Sequence, residues 1–434
     1  MSPKALNPSA QVDVFGQEVN PESFAICLAD MLVKGQNAAH IKFGNSLSDD
    51  KHAGERFHYG IANPPFGVDW TKVESTVRAE HADRGYDGRF GPGLPRKSDG
   101  QLLFLMHLVS KMRAPGKGGS RIAIVHNGSP LFTGAAGSGE SEIRRYLLEN
   151  DLLEAIVAMP EQLFYNTGIA SYVWLLSNRN SAERKGKVQL IDARQQFVKM
   201  RKSLGDKRRE FSTEQIDQIT RLHGAFEEGE LVKIVDNASF GYRTITVEQP
   251  LRGYWQVSAD TWDGVEDDPA VARLDDATRT ALCAGLRTMD DRRHPTELDV
   301  ITAMAKATAQ TQAKSPKLFG LSAANIRKLA ARALVRDPVA PPVLDAKGRP
   351  LADPGRRDTE NVPLSEDVEA YLDREVRPHV PGAWCPDPAG KIGYEIPFTR
   401  LFYTYTPPRP SAEIKAELKE LEGEIHRLLA EVVG

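Results

Sequence analysis

Between residues 12 and 192 short apolar runs alternate with stretches of helical periodicity, and this restricts the chain to strands interleaved with helices. Val12–Phe15 reads as a strand ending at Gly16. Asn20 and Pro21 suit the cap and first turn of a helix running to Lys34, with Gly35 as its stop. Ile41–Phe43 and Phe57–Ala62 read as strands, Gln101–Met112 as a helix, Arg121–Val125 as a strand and Glu140–Glu149 as a helix. Leu152–Met159, Tyr172–Ser177 and Lys187–Asp192 read as further strands. The pattern predicts an α/β, mostly parallel sheet with its site in loops after the strands' carboxyl ends. The glycines and Pro92 between Asp83 and Gly93 interrupt the rhythm and predict a mobile loop.

Charge excludes a uniformly basic coat: 56 Lys and Arg against 59 Asp and Glu leave a net charge of −3, so any nucleic-acid surface is a local patch. Cys27, Cys283 and Cys385 form no close pair, and the histidines lack ligand spacing, so neither a disulfide framework nor a metal site is expected. There is no apolar run long enough to span a bilayer, so the expectation is a cytoplasmic protein with no membrane partner. No Gly-x-Ser-x-Gly elbow supports a serine hydrolase. Acids crowd Asp260–Asp276, helical patterns return from Ala277 to Leu334, and prolines and glycines mark Arg336–Arg357 as a linker or long excursion.

Asn63-Pro64-Pro65-Phe66 closes one predicted strand. Two prolines fix the backbone after Asn63. The Asn63 amide oxygen and the Pro64 carbonyl are two acceptors on one edge, suited to the two hydrogens of an exocyclic amine. Phe66 offers a face for a planar base. The plainer alternative is a proline turn ending a strand.

The run Ile61-Ala-Asn-Pro-Pro-Phe-Gly-Val-Asp-Trp70 resembles the adenine-binding motif of N6-adenine DNA methyltransferases. The wider chain resembles the modification subunit of type I restriction–modification systems: Phe15–Asn20, Gly44–Leu47 with Asp49-Asp50, Ser98–Met112, Arg121–Gly128, Met159-Pro160 with Phe164–Ile169, Arg357–Pro363 and Gly393–Phe398 follow in that family's order. The resemblance implies a Rossmann-like S-adenosylmethionine-dependent methyltransferase sheet with a helical carboxyl-terminal extension. It implies Asn63, Pro64, Pro65 and Phe66 as catalytic residues acting on adenine N6, with Glu18 on the cofactor ribose and Asn45 and Asn63 near the cofactor. Many relatives carry Asp where this chain has Asn45. The implied division is a catalytic domain at 1–245, a helical extension and linker at 246–360, and a subunit-contact segment at 361–434. The implied partners are double-stranded DNA, a specificity subunit that sets the target sequence, a second modification subunit and a restriction subunit.

The family's glycine-rich turn of the Asp-Pro-x-x-Gly-x-Gly type does not occur in Met1–Gln11. The expectation is therefore an amino-terminally truncated subunit, inactive or very weak alone. A catalytically silent assembly piece is one rival reading, and a protein-glutamine N5 methyltransferase another.

Two further features bear on partners. Arg194–Arg209 holds Arg194, Lys199, Arg201, Lys202, Lys207, Arg208 and Arg209 against Asp206, seven basic residues to one acid. It reads as a DNA-contacting stripe or a solvated helix face. Arg89, in the glycine-rich loop, is a further DNA-contact candidate, beside Arg84, Arg96 and Lys97. Ile414, Leu418, Leu421, Ile425, Leu428 and Val432 recur at alternating spacings of four and three, a heptad seam. It would dock on the specificity subunit or on its own domain.

Overall fold

A computed structural model describes residues 7, 9–165, 167–309, 318–345, 347–405 and 407–433. Met1–Leu6 and Pro8 of the polar lead, Asn166 of the Phe164–Ile169 motif, and the side chain of Val432 in the heptad seam lie outside the described residues. The contacts define two compact units: Met1–Gly134, Gly139–Phe240 and Glu395–Gly434 form one, Ala135–Ser138 and Gly241–Tyr394 the other.

The first unit begins with β1 (Gly16–Glu18), α1 (Pro21–Val33) and β2 (Ile41–Phe43), the two strands pairing in parallel. Asn20 caps α1 by accepting from Glu22 N and Ser23 N, with Pro21 in the first turn. There follow β3 (Tyr59–Ala62), α2 (Glu74–Arg84), α3 (Gln101–Ser110), β4 (Arg121–Asn127), α4 (Gly139–Glu149), β5 (Leu153–Met159), β6 (Ser171–Ser177) and β7 (Lys187–Asp192). The hairpin β8 (Val198–Leu204) and β9 (Lys207–Glu210), then α5 (Thr213–Ala225) and β10 (Val232–Asp236), complete the series.

The main sheet runs β10-β7-β5-β6-β4-β3. Every residue of β5 is buried, which is why its sequence is a near-continuous apolar run rather than an alternating one. Glu154, the exception, lies among Arg121, Arg184 and His223 at 3.2, 3.8 and 3.6 Å. The expected mostly parallel sheet is mixed: β6 and β10 run against β3, β4, β5 and β7. Among its described residues the connection from Met159 to Ser171 holds no crossover helix, and β6 returns antiparallel beside β5.

The first expected strand also moves, from Val12–Phe15 to Gly16–Glu18. Phe15 instead stacks on His40 at 4.1 Å and meets Phe57 at 5.1 Å. The expected mobile loop is a packed one: Phe90, Pro92, Gly93 and Pro95 are buried. Its glycines serve close approach, since a Cβ on Gly91 would meet Gly85 O at 2.5 Å and one on Gly93 would meet Gly139 O at 2.7 Å.

The second unit centres on β11 (Gly241–Val247), β12 (Gly253–Val257), β13 (Arg292–His294) and β14 (Leu334–Arg336), with β15 (Asp358–Pro363) and β16 (Lys391–Tyr394). β11 hydrogen-bonds to both β15 and β16, and β12 to β13 and β14, all antiparallel. The pairing of β11 with β15 joins 241–247 to 358–363, so the chain does not divide into pieces at residue 360. The helices α6 (Asp276–Arg287), α7 (Glu297–Ala307) and α8 (Ala323–Ala330) surround a core that includes Trp255, Trp262, Leu282, Met304 and Leu329. The region expected to be helical is therefore mixed. Among the described residues no helix is long and apolar enough to cross a membrane, and no group of His, Cys, Asp and Glu could hold a metal ion.

Candidate active site

Parallel β1 and β2 deliver Glu18 and the Gly44–His52 loop at their carboxyl ends. Glu18 Oε1 accepts from Asn20 N at 2.7 Å, and its backbone carbonyl accepts from Gly44 N at 2.9 Å. The half-buried carboxylate keeps its second oxygen without a partner among the described residues, which fits a hydroxyl donor such as a ribose. Asn45 Oδ1 accepts from Leu47 N at 2.9 Å and its backbone carbonyl accepts from Asp49 N, forming a turn that leaves the Asn45 Nδ2 donors available. These residues therefore fit a nucleoside-bearing cofactor. Sequence inspection passed over Gln17, which donates from Nε2 to Asp49 O at 2.7 Å and accepts from Lys51 N at 3.1 Å.

β3 ends at Ala62, and Asn63 follows it exposed, with its carboxamide unpartnered among the described residues. Pro64 is buried, Pro65 exposed and Phe66 half-buried. The loop is anchored downstream rather than at Asn63. Trp70, fully buried, donates from Nε1 to Arg96 O at 3.0 Å, and Gly100 N donates to Val68 O at 2.8 Å. Asp99 bonds Ser129 Oγ and Gln101 Nε2, and Gln101 bonds Asn127 at the end of β4. The carboxyl ends of β3 and β4 are thus tied through the start of α3, while the Asn63 carboxamide stays exposed.

Phe66 meets Phe164 edge-on, ring centroids 6.4 Å apart at 84°. The hairpin β8–β9 docks on that same loop: Asp206 N donates to Tyr165 O, and Arg208 N and Arg209 N both donate to Gln162 O at 3.0 and 3.2 Å. Gln162 holds a left-handed φ of 60°, costing about 1 kcal/mol or more, which this doubly bonded carbonyl offsets. The basic run is therefore a β-hairpin, not a helix face. Lys199, Arg201, Lys202 and Arg208 are exposed and form no ion pair among the described residues. Lys199 stands directly opposite Arg209, a like-charge pair that an anion would relieve.

The remaining two DNA candidates are placed differently. Arg194 forks onto Asp192 at 2.8 and 2.6 Å. Burial alone would raise the Asp192 carboxyl, but the Arg194 bonds and charge leave it lowered. Arg89 is largely buried, with its guanidinium committed to Glu80 and to the carbonyls of Ser46 and Leu47. It meets the Asn45 loop and not the hairpin, so its expected DNA contact is replaced by an internal one. Of its neighbours, Lys97 pairs with Glu74 at 2.7 Å and Arg96 with Asp99 at 3.5 Å. Phe164 stood inside a recognised motif without a role assigned. Glu80 and Lys111 gave no local signal.

The chain belongs to the N-6 DNA methylase family, whose model matches residues 4–241. It is 25% identical over 261 residues to the type I restriction enzyme MjaIX methylase subunit of Methanocaldococcus jannaschii, covering 59% of this chain and 44% of that protein. It is 34% identical over 185 residues to the HindI methylase subunit of Haemophilus influenzae, covering 42% and 38%. The matches thus span less than half the length of these relatives. A type I restriction–modification methyltransferase subunit from Streptococcus thermophilus aligns with TM-score 0.44 and 24% identity over 52% of this chain and 45% of that one.

Proposed function

We propose that this chain methylates adenine N6 in double-stranded DNA, using S-adenosylmethionine, as the modification subunit of a type I restriction–modification system. The observation that carries this reading is the end of β3. An exposed, unpartnered Asn63 carboxamide stands beside the Phe66–Phe164 edge, and the loop bearing Phe164 also supports a hairpin of unpaired cations. A planar amine substrate attached to a polyanion suits that combination, and a protein glutamine has no use for the hairpin.

In this reading Asn63 Oδ1 and the Pro64 carbonyl accept the two N–H bonds of the adenine amine, drawing its nitrogen toward tetrahedral geometry and freeing its lone pair. Pro65 keeps the two acceptors in register, and Phe66 stacks on the extruded base. When bound, S-adenosylmethionine supplies an electrophilic methyl, its sulfur keeping the electron pair of the broken carbon–sulfur bond. The amine nitrogen loses one proton to solvent on the open side of Asn63. Glu18 would hold the cofactor ribose, with the Asn45 loop near its adenine.

Lys199, Arg201, Lys202 and Arg208 would bind phosphates beside the opened base pair. Changing all four to Gln is expected to weaken DNA binding and to lower the slope of log affinity against log salt by about 3 to 4, at ~0.9 per lost phosphate contact. A titration series across salt concentrations checks this, and an unchanged slope would remove the hairpin from the DNA surface.

The terminal helix, Ser411–Val433, exposes Ile414, Leu418, Leu421, Ile425 and Leu428 at 40–60%. We assign this seam to a specificity subunit, within an assembly that also holds a second modification subunit and a restriction subunit. Leu421→Asp with Ile425→Asp is expected to leave Tm within about 1 °C, as exposed substitutions do, while abolishing co-purification with the specificity subunit. Retained co-purification would mean the helix is not the contact.

A further inference from the structure

The loop after β2 is strapped down by two buried cations that the proposed mechanism does not use. Arg89 donates from Nη1 to Ser46 O at 2.6 Å and from Nη2 to Leu47 O at 2.9 Å. Its Nε and Nη2 clasp Glu80 at 2.6–3.1 Å, and Glu80 Oε1 also accepts the Arg89 backbone N–H at 2.8 Å. The Arg89 and Glu80 side chains are only 11% and 12% exposed. Arg89 Nη1 also meets His107 Nδ1 at 3.1 Å, so that nitrogen is the acceptor and the ring is neutral. Four residues after His107, Lys111 pairs with Asp50 and donates to His52 O at 2.8 Å.

Burying an arginine and a lysine in this way is costly, and an apolar packing of the same shape would hold a merely structural loop at least as well. The guanidinium instead does something an apolar side chain cannot. Its planar fork fixes two successive carbonyls, Ser46 and Leu47, relative to Glu80 on α2. The segment from Asn63 through Trp70 leads through the short 3-10 turn Thr71–Val73 into α2, so one continuous arm connects the amine-binding loop to the loop that carries Asn45. A lysine could pair with Glu80 but could not reach both carbonyls in a fixed plane.

We infer that Arg89 is a positioning residue, which sets the Asn45 loop in register with Asn63 and through it controls cofactor affinity. The inference rests on the assignment of the Asn45 loop to the cofactor. The test uses the chain assembled with its specificity subunit and compares wild type, Arg89→Lys and Arg89→Met. The first readout is amide hydrogen exchange without cofactor. Both variants should exchange faster in residues 44–52 by about tenfold or more, with β5 and β6 unchanged. The second is kinetic. KM for S-adenosylmethionine should rise about tenfold or more, with kcat at saturation and DNA affinity held within about twofold. The lysine variant keeps the buried charge opposite Glu80, and with it the fold, so it decides the question if the methionine variant does not fold.

Unchanged exchange in 44–52 overturns the inference. So does a loss of DNA affinity with an unchanged KM, which would return Arg89 to the DNA. A wild-type complex that binds no S-adenosylmethionine, with exchange still accelerated in the variants, counts against the functional reading and leaves the positioning of the loop established.

Discussion

Replacing Asn63 with Ala in the assembled complex is expected to lower the methylation rate about 100- to 1,000-fold, the scale on which one preorganised polar group at a reacting centre acts. DNA affinity and S-adenosylmethionine affinity should stay within about twofold, because in the proposed reaction the interaction lost is made to the reacting amine. The structure separates this from unfolding. Asn63 is exposed and its carboxamide supports no other residue among those described, so its truncation should cost less than about 0.5 kcal/mol of stability. The loop's rigidity comes from buried Pro64 and Trp70 and from the Gly100–Val68 and Trp70–Arg96 bonds, all of which the variant keeps. Single-turnover rates with parallel binding titrations check it. A rate within tenfold of wild type would remove Asn63 from the chemistry.

The second large effect is on stability in mild acid. His126 lies fully buried on β4, edge-on to Trp174 at 5.6 Å, with neither ring nitrogen bonded among the described residues. Burial pushes it down from 6.5 to about 3, against a small upward pull from Asp99. His107 falls to about 4, chiefly through burial and further through Arg89 and Lys111, with Asp50 pulling the other way. Between pH 6.5 and these values the unfolded chain binds protons that the folded chain refuses, so stability rises with pH across the window and is lost as pH falls. Asp50 and Glu80 act in the same direction at lower pH. Burial raises each, but Lys111 and Arg89 leave both lowered, so their contribution disappears as pH falls through the carboxylate range.

At ~1.4 kcal/mol per pH unit for each histidine, acidification from pH 7 to 4.5 should cost the first unit on the order of 5 kcal/mol. Tm should fall by on the order of 10 °C. His126→Phe should remove about half of that slope, provided the ring fits beside Trp174. Thermal melts at half-unit pH intervals check both, and a Tm that stays flat from pH 7 to 4.5 would contradict the buried, neutral state of these rings.

Much of this was legible in the sequence where the determinants are local. The Asn20-Pro21 start of α1, the apolar run of β5 and the proline-fixed turn after β3 each depend on neighbours a few residues away, and each stands where the pattern put it. The direction of β6 was hidden in the short connection before it. The basic run read ambiguously because charge dominates its composition. The strand signal was there in Val198 and in the Gly205-Asp206 turn, with Gly205 at φ 62°. The loop after Arg84 looked mobile because glycine is permissive, yet Gly91 and Gly93 are there so that backbone from elsewhere can approach. Arg89 could not be placed from sequence at all. Its carbonyl partners lie 42 and 43 residues away, and nothing local separates an arginine bound for phosphate from one bound for Ser46 and Leu47.

Incubating the chain, its specificity subunit and duplex DNA with methyl-labelled S-adenosylmethionine, then digesting the DNA to nucleosides, reads the methyl group at its destination. The predicted result is label in N6-methyldeoxyadenosine that Asn63→Ala removes and Glu18→Ala reduces through weaker cofactor binding. Label found in protein glutamine or in another base, or an Asn63→Ala complex that methylates adenine at the wild-type rate, would contradict the assignment of the β3 end as the adenine site.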